Sequence, residues 1–494
     1  MSEPVVSHEV RSPSLSDAVI PLVALTVLIG GSVALFGLKA LDGPIQVALI
    51  LACAVAALIA LKNGNPWSAV QVAGQGALAS ITSALFILLA VGALIGTWNL
   101  SGTIPTLVYY GLGVLSPGYF YVATAVICGA VAMSIGSSWT TAGTIGVGLV
   151  GIATMLGVSP AITAGAVISG AYLGDKLSPL SETTILTAQM VEVDLYTHIR
   201  SQAWTSVPAF LIAAAGFTVL GVAGPPVRDA VPESIELAKL GEIFWINPVN
   251  LVPLLFLVVL SVRKVPASLA LLASALVAGA QAAIFQRDVV TGFVTEIGAS
   301  TQDVIGSVQA VWTVMANGFS INSGIGDIDR LLSRGGMDSM LLTIWLIIGA
   351  VTFGALLEKF GLIDRLVQPM IAAAKTTGRL YLSVFCTGFG LNIAAGDQYI
   401  ALVLPSRIFR VEFAKRGLAP QNLSRLAADS GTVTSPLVPW NSCGAFMGAV
   451  LGVPTLLYLP FALFNIASPA LSVFYGYTGF KVVRAEPVTE SEGA

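Results

Sequence analysis

Apolar stretches of roughly 17 to 23 residues recur along this chain, the length needed to cross about 30 Å of hydrocarbon. Nothing in the sequence constrains the fold more. Backbone inside a bilayer must satisfy its own hydrogen bonds, so only helices and closed barrels span it, and stretches this long are helices. Of 494 residues, 55% are hydrophobic and 10% are charged. A soluble domain carries about 25% charged residues, so too little charge is left to cover a water-facing surface. The 51 glycines suit membrane helices that pack closely or break. The expected fold class is an all-α polytopic membrane protein.

The chain also resembles itself. At an offset of 259, Gly102, Ile104, Leu107 and Val108 match Gly361, Ile363, Leu366 and Val367. At 260, Gly118, Tyr121, Gly136, Gly157 and Pro160 match Gly378, Tyr381, Gly396, Gly417 and Pro420, and Trp139 falls on Tyr399. At 261, Ser169-Gly170 matches Ser430-Gly431, and after a short gap Ser178-Pro179-Leu180 matches Ser435-Pro436-Leu437. Ordered matches with few gaps indicate a duplication. Residues 407–416 carry four basic residues, whereas their counterpart 147–156 carries none. Positive charge collects on the cytoplasmic side, so the two halves are expected to have inverted topology.

One topology meets most of these constraints: about ten transmembrane spans and two re-entrant hairpins, in two inverted-topology repeats with broken helices. A disordered cytoplasmic tail covers 1–16, the first repeat 17–223, an extracytoplasmic linker 224–245, the second repeat 246–480 and a cytoplasmic tail 481–494. In the first repeat, spans run at about 17–38, 44–61, 76–97 and 201–223, with a hairpin at 118–156 and a broken span at 160–197. The second has spans at about 246–262, 266–285, 339–357 and 457–478, a hairpin at 379–411 and a broken span at 420–455. Arg330 and Arg334 fall outside and run against the charge rule, in a loop expected at 286–338.

Two polar stretches stand where apolar spans should continue: Ser169 to Thr187 and Ser430 to Cys443. Proline breaks a helix, and the freed carbonyls must line protein or a wet cavity. Carbonyls and hydroxyls around a carboxylate are suitable ligands for a hard cation. Burying a charge in the bilayer costs at least about 2.5–3.5 kcal/mol on insertion scales, so carboxylates there point to function. Low dielectric raises a carboxylate's pKa, which lets one group hold either a proton or a metal cation. The candidate proton or cation holders are Asp397, at the tip of the second hairpin, with Asp175, Asp429 and Glu182. The candidate neutral ligands are Ser178, Thr183, Thr432, Thr434, Ser435 and Asn441, with Ser137, Ser138 and Asn392 at the hairpins. Asp175 has a plainer reading as an ion pair with Lys176 or as an interfacial residue, and Glu182 as the start of an amphipathic helix. Glu358 reads as a solvated interfacial residue and His198 as an exposed loop histidine.

The stretches 136–153, 169–184, 397–410, 416–425 and 429–460 resemble the NhaC family of Na⁺/H⁺ antiporters. The resemblance covers about 70 to 470. It implies inverted repeats with broken helices, and Na⁺ efflux driven by proton entry. One block departs from the pattern: Glu182-Thr183-Thr184-Ile185 stands where Asp-Thr-Thr-Asn is expected. Exchangers of malate and lactate belong to the same family, so a Na⁺- or H⁺-coupled carboxylate exchanger is the alternative. A channel or a membrane scaffold is a third reading.

Other chemistries find no footing in the sequence. The net charge of −3 offers nothing to nucleic acid. Four cysteines and two histidines (His8 and His198) show no transition-metal spacing. No nucleotide-binding or nucleophile motif occurs, so the chain is not expected to be an enzyme. No cofactor is expected; the resemblance implies Na⁺ (or Li⁺) and H⁺ as cargo. The expected location is the inner (plasma) membrane, with both termini cytoplasmic, the lipid bilayer as partner and a homodimer left open.

Overall fold

The computed structural model describes residues 10–223, 233–298 and 303–485. His8, most of both expected tails and positions 224–232 of the expected linker lie outside these residues. The described chain is helical, apart from one isolated bridge between Leu418 and Arg484.

The first half begins with α1 (Leu15–Phe36), α2 (Pro44–Lys62) and α3 (Trp67–Leu100). It continues through α4 (Thr103–Leu112), α5 (Phe120–Ile135), α6 (Ser138–Thr141), a π turn at Ala142–Gly146 and α7 (Val147–Met155). It ends with α8 (Pro160–Leu177), α9 (Glu182–Val191) and α10 (Leu195–Val222). A helix in the expected linker, α11 (Glu233–Ile243), leads to α12 (Val252–Val262) and α13 (Ala267–Phe285). The expected loop at 286–338 instead holds α14 (Arg287–Glu296), α15 (Asp303–Asn317) and α16 (Gly326–Leu332). In α15, Gly306, Ala310 and Val314 recur every four residues on a buried face, a helical period that polar neighbours conceal from a hydropathy scan. Then come α17 (Leu341–Lys359), α18 (Leu362–Ala373), α19 (Thr377–Ala394), α20 (Gln398–Lys415) and α21 (Pro420–Ala427). A π turn at Ala428–Thr432 and a 3-10 turn at Ser435–Leu437 precede α22 (Ser442–Leu451), α23 (Thr455–Tyr458) and α24 (Leu463–Thr478).

Local chemistry sets many of these boundaries. Ser14 and Asp17 form a reciprocal capping box at α1, and Asp17 also accepts from Lys62 at the end of α2 at 2.6 Å. Among the described residues, six helices are long and apolar enough to cross a membrane, eight if each of two bent pairs counts as one span. The bends are 82° between Ile235–Ile243 and Pro248–Val262, and 90° between Ser442–Leu451 and Thr455–Phe461. The protein is an integral membrane protein. Its α3 has 34 residues, about 51 Å at 1.5 Å per residue, so it outruns the expected 76–97 span. The excess is its first turns, where Ser68, Gln71 and Gln75 interrupt the apolar run.

Matched positions carry matched backbone. Gly102 and Gly361 are left-handed at φ 75° and 70°, Gly136 and Gly396 at 79° and 62°, and Gly157 and Gly417 at 65° and 62°. Packing crosses between the halves: α13 lies on α3, and α2 lies on α17. Arg334, which the expected topology puts outside, has a structural role: its guanidinium donates to the Val450 carbonyl at 3.1 Å, at the end of α22, where a cation suits the helix dipole.

The tightest helix contact is α5 on α8. A Cβ at Gly170 would stand 2.1 Å from the Ala125 carbonyl oxygen, and one at Gly174 would stand 2.3 Å from that of Gly129. Backbone cannot yield as a side chain can. Gly170→Ala is therefore expected to cost about 1–3 kcal/mol or more, read as a lower unfolding temperature in detergent. Gly118→Ala, with open space around its Cβ, is the control and should change little.

Candidate functional site

Each half places a hairpin tip against a broken helix. Left-handed Gly136 and Gly396 turn the two tips, and the next residues, Ser137 and Asp397, are extended N-caps of α6 and α20. Ser137 Oγ accepts from Thr140 N at 3.2 Å. Asp397 Oδ1 accepts from the Tyr399 and Ile400 amides at 2.8 and 3.1 Å. The breaks match as well. Ser181 caps α9 and Asn441 caps α22, 260 positions apart.

In the first half, Ser138 Oγ donates to Asp175 Oδ2 at 2.8 Å, joining tip to break. Ser178 caps α8 and donates to the Met133 carbonyl at 2.8 Å, while Thr183 pairs with Ser181 at 3.0 Å. In the second half, Asn392 Nδ2 donates to the Gly431 carbonyl at 2.6 Å and to Thr434 Oγ1 at 2.9 Å. Asn441 Nδ2 donates to Asn392 Oδ1 at 3.0 Å. Ser435 Oγ donates to the Thr432 carbonyl at 2.7 Å, and Thr432 Oγ1 is buried without a partner among the described residues. Thus Ser178, Ser435 and Asn441 spend hydrogen bonds on holding the breaks, while Thr432 keeps a free hydroxyl.

The two halves meet at this point. The Trp139 ring stacks on Phe446 at 4.1 Å and 14°. Glu182, the exposed first residue of α9, lies within electrostatic reach of both Asp175 and the Tyr399 phenol. Tyr172 faces Ser435 and Cys443 from the other half. Asp175 and Asp397 are each 6% exposed. Neither forms an ion pair among the described residues.

Asp429 is different. Its Oδ1 accepts from Lys176 Nζ and Ser468 Oγ, and its Oδ2 from Thr205 Oγ1 at 3.0 Å. Lys176 also reaches Ser468 at 3.2 Å and Thr205 at 3.3 Å, so all three ammonium donors are used. Lys176 therefore pairs with Asp429 rather than with its neighbour Asp175. His198 is also not an exposed loop residue: it is fully buried in α10, with Nδ1 2.8 Å from Ser424 Oγ and Nε2 against Gln202. The hydrophilic turn before it suggested a loop, but Asp194 caps the helix and begins it earlier. Glu358 is exposed, 3.9 Å from Arg407, as expected.

Sequence reasoning missed Thr205, Ser468, Tyr172 and the partner of Lys176. A signal was present. Polar residues recur three or four apart on one face of two apolar helices: His198, Gln202, Thr205 and Ser206 on α10, and Asn465, Ser468 and Ser472 on α24. Among the described residues, no group of three or more His, Cys, Asp or Glu side chains is placed to hold a metal ion.

Broken apolar helices around buried carboxylates define a membrane transporter of the secondary type. The chain belongs to the Na⁺/H⁺ antiporter family, whose model matches residues 15–220 and 170–480. It is 36% identical over 450 residues to the Na⁺/H⁺ antiporter NhaC of Alkalihalophilus pseudofirmus, covering 91% of this chain and 93% of that one. It is 34% identical to the malate-2H⁺/Na⁺-lactate antiporter of Bacillus subtilis, over 95% and 96% of the two chains. It is 32% identical to the arginine/ornithine antiporter ArcD of Halobacterium salinarum, over 98% and 96%.

Proposed function

We propose that this protein exchanges Na⁺ for H⁺ across the plasma membrane, with Asp175 and Asp397 as the groups that hold cation and proton in turn. One observation carries the reading: both carboxylates are buried, and neither has a cationic partner among the described residues. A buried carboxylate must be neutralised, and here a proton or a small cation is what remains to do it. Ser138, the unpartnered Thr432 hydroxyl and the carbonyls of the breaks supply neutral oxygens. Glu182 stands at the exposed side as an entry charge. Asp429 is paired with Lys176 and so is not free to hold Na⁺. No cofactor is involved.

The architecture proposed for this chemistry is two inverted repeats, 17–223 and 246–480, with about ten crossings, re-entrant hairpins and both termini cytoplasmic. Matched left-handed glycines and matched caps support it. Movement of the hairpin-bearing elements against the remaining spans would expose the site alternately. Carboxylate exchange is the second reading, favoured by the 34% identity to a malate/lactate antiporter. It needs a cation free to meet the anion, and Lys176 is engaged by Asp429.

In proteoliposomes loaded with a pH dye, an inward Na⁺ pulse should drive protons out, and labelled malate or lactate should show no counterflow. Absence of Na⁺-driven proton flux at every pH around neutrality would sink the antiport reading. Brisk counterflow of the labelled acids would establish the alternative.

A further inference from the structure

The face of α10 toward α21 and α24 carries His198, Gln202 and Ser206 at four-residue spacing, with Thr205 beside them. Across from it, α24 presents Ser468 and Ser472, and α21 presents Ser424 and Arg425. All eight are buried. One end of this polar seam lies a turn inside the exposed residues Asp194, Tyr196 and Thr197. The other ends on the Lys176–Asp429 pair, reached through Thr205 and Ser468.

Among the described residues, four polar atoms on these eight side chains have no hydrogen-bond partner: Gln202 Oε1, Ser206 Oγ, Ser472 Oγ and Arg425 Nε. They come from three helices packed on one another. Buried polar atoms almost always find partners. An orphan atom is costly singly, and four along one seam share one remedy: water, which typically makes about three hydrogen bonds to such groups. A water beside Ser206 or Ser472 can both donate and accept, as can the hydroxyls.

We propose that the seam between α10 and α24 holds a file of water and is the proton's route between the His198 end and the Lys176–Asp429 pair, separate from the route taken by Na⁺. The proposal rests on the antiport reading. The seam's lining sets Lys176 and Arg425 against a single carboxylate, Asp429. Lys176 and Arg425 have no lone pair to offer Na⁺, and the Asp429 carboxylate already accepts from Lys176, Ser468 and Thr205, so a Na⁺ that sheds its hydration finds too few ligands there. A proton instead passes between hydrogen-bonded oxygens, leaving one water as it joins the next, so no ion need shed its hydration. The titratable and charged groups facing the seam are His198 on α10, Arg425 and Asp429 on α21 and its π turn, Lys176 on α8, Tyr475 on α24 and Tyr381 on α19.

Two measurements test this. Ser206→Val and Ser472→Val replace each hydroxyl by methyl groups, and Ser→Ala at the same positions serves if valine impairs folding. Na⁺-driven proton flux should fall about tenfold or more, the scale of a lost proton-transfer partner, while counterflow of labelled Na⁺ at equal pH stays within about twofold of wild type. Ser206→Thr, which keeps a hydroxyl, should restore proton flux. A parallel fall in both modes, or no fall in either, overturns the proposal. Wild type that moves no Na⁺ in either mode overturns the antiport reading instead. In that case the seam is judged by a high-resolution experimental map: waters bonded to Ser206, Ser472 and Gln202 support the file, and a dry seam rules it out.

Discussion

Asp429→Asn should destabilise the protein by about 3–5 kcal/mol, because it leaves Lys176 as an unpaired cation in the bilayer interior. The two side chains are 1% and 0% exposed. No solvent is at hand to take up the released charge, and Thr205 and Ser468 offer only neutral oxygens. Lys176→Met should be similarly harmful, since it strands the Asp429 carboxylate. The double substitution Lys176→Met with Asp429→Leu removes both charges and should recover most of the loss, as apolar replacements of buried pairs often do. Thermal unfolding in detergent, followed by size-exclusion profile, reads all three. Single variants as stable as wild type would show that the pair is not a buried charge network. The double variant has a second use: stable protein without Na⁺-driven proton flux would assign the pair to the transport cycle rather than to the fold.

This network also shows what the sequence conceals. Asp429, Lys176, Thr205 and Ser468 come from four separate elements, up to 292 positions apart. Nothing local marks Lys176 as the partner of Asp429, and its neighbour Asp175 is the natural guess. Pairing over such distances is set by how helices pack, which periodicity does not encode. The hairpin tips were legible for the opposite reason. A glycine that must adopt positive φ, followed by a residue able to cap a helix, is a local pattern, and it stands at both Gly136-Ser137 and Gly396-Asp397. The Ser-Pro-Leu breaks were legible because proline acts on its own backbone. His198 was misread because its hydrophilic surroundings resemble a loop, although Asp194 supplies an ordinary N-cap that starts α10 before it. The helices at 287–332 were missed because their apolar faces are too short and too mixed to register as spans.

The same local pattern makes the roles of Asp397 separable. Its carboxylate caps α20, and at the matched tip Ser137 caps α6 through a neutral hydroxyl. Serine and aspartate cap about equally well, and replacing either by alanine costs about 0.5–2 kcal/mol. Asp397→Ser should therefore keep the fold, with an unfolding temperature close to wild type, while removing the charge that a cation would meet. A charged ligand contributes about 1.5–3 kcal/mol more than is left without it, roughly a 10- to 100-fold loss of Na⁺ affinity. Asp175→Asn is the companion at the other break: its amide oxygen can still accept from Ser138, so geometry is kept and charge alone is lost. Isotopic Na⁺ uptake into proteoliposomes against Na⁺ concentration measures both. If Asp397→Ser binds and moves Na⁺ like wild type, the residue is a cap and nothing more. If Asp397→Ala and Asp397→Ser lose transport equally while only alanine loses stability, the charge and not the cap is what the ion recognises.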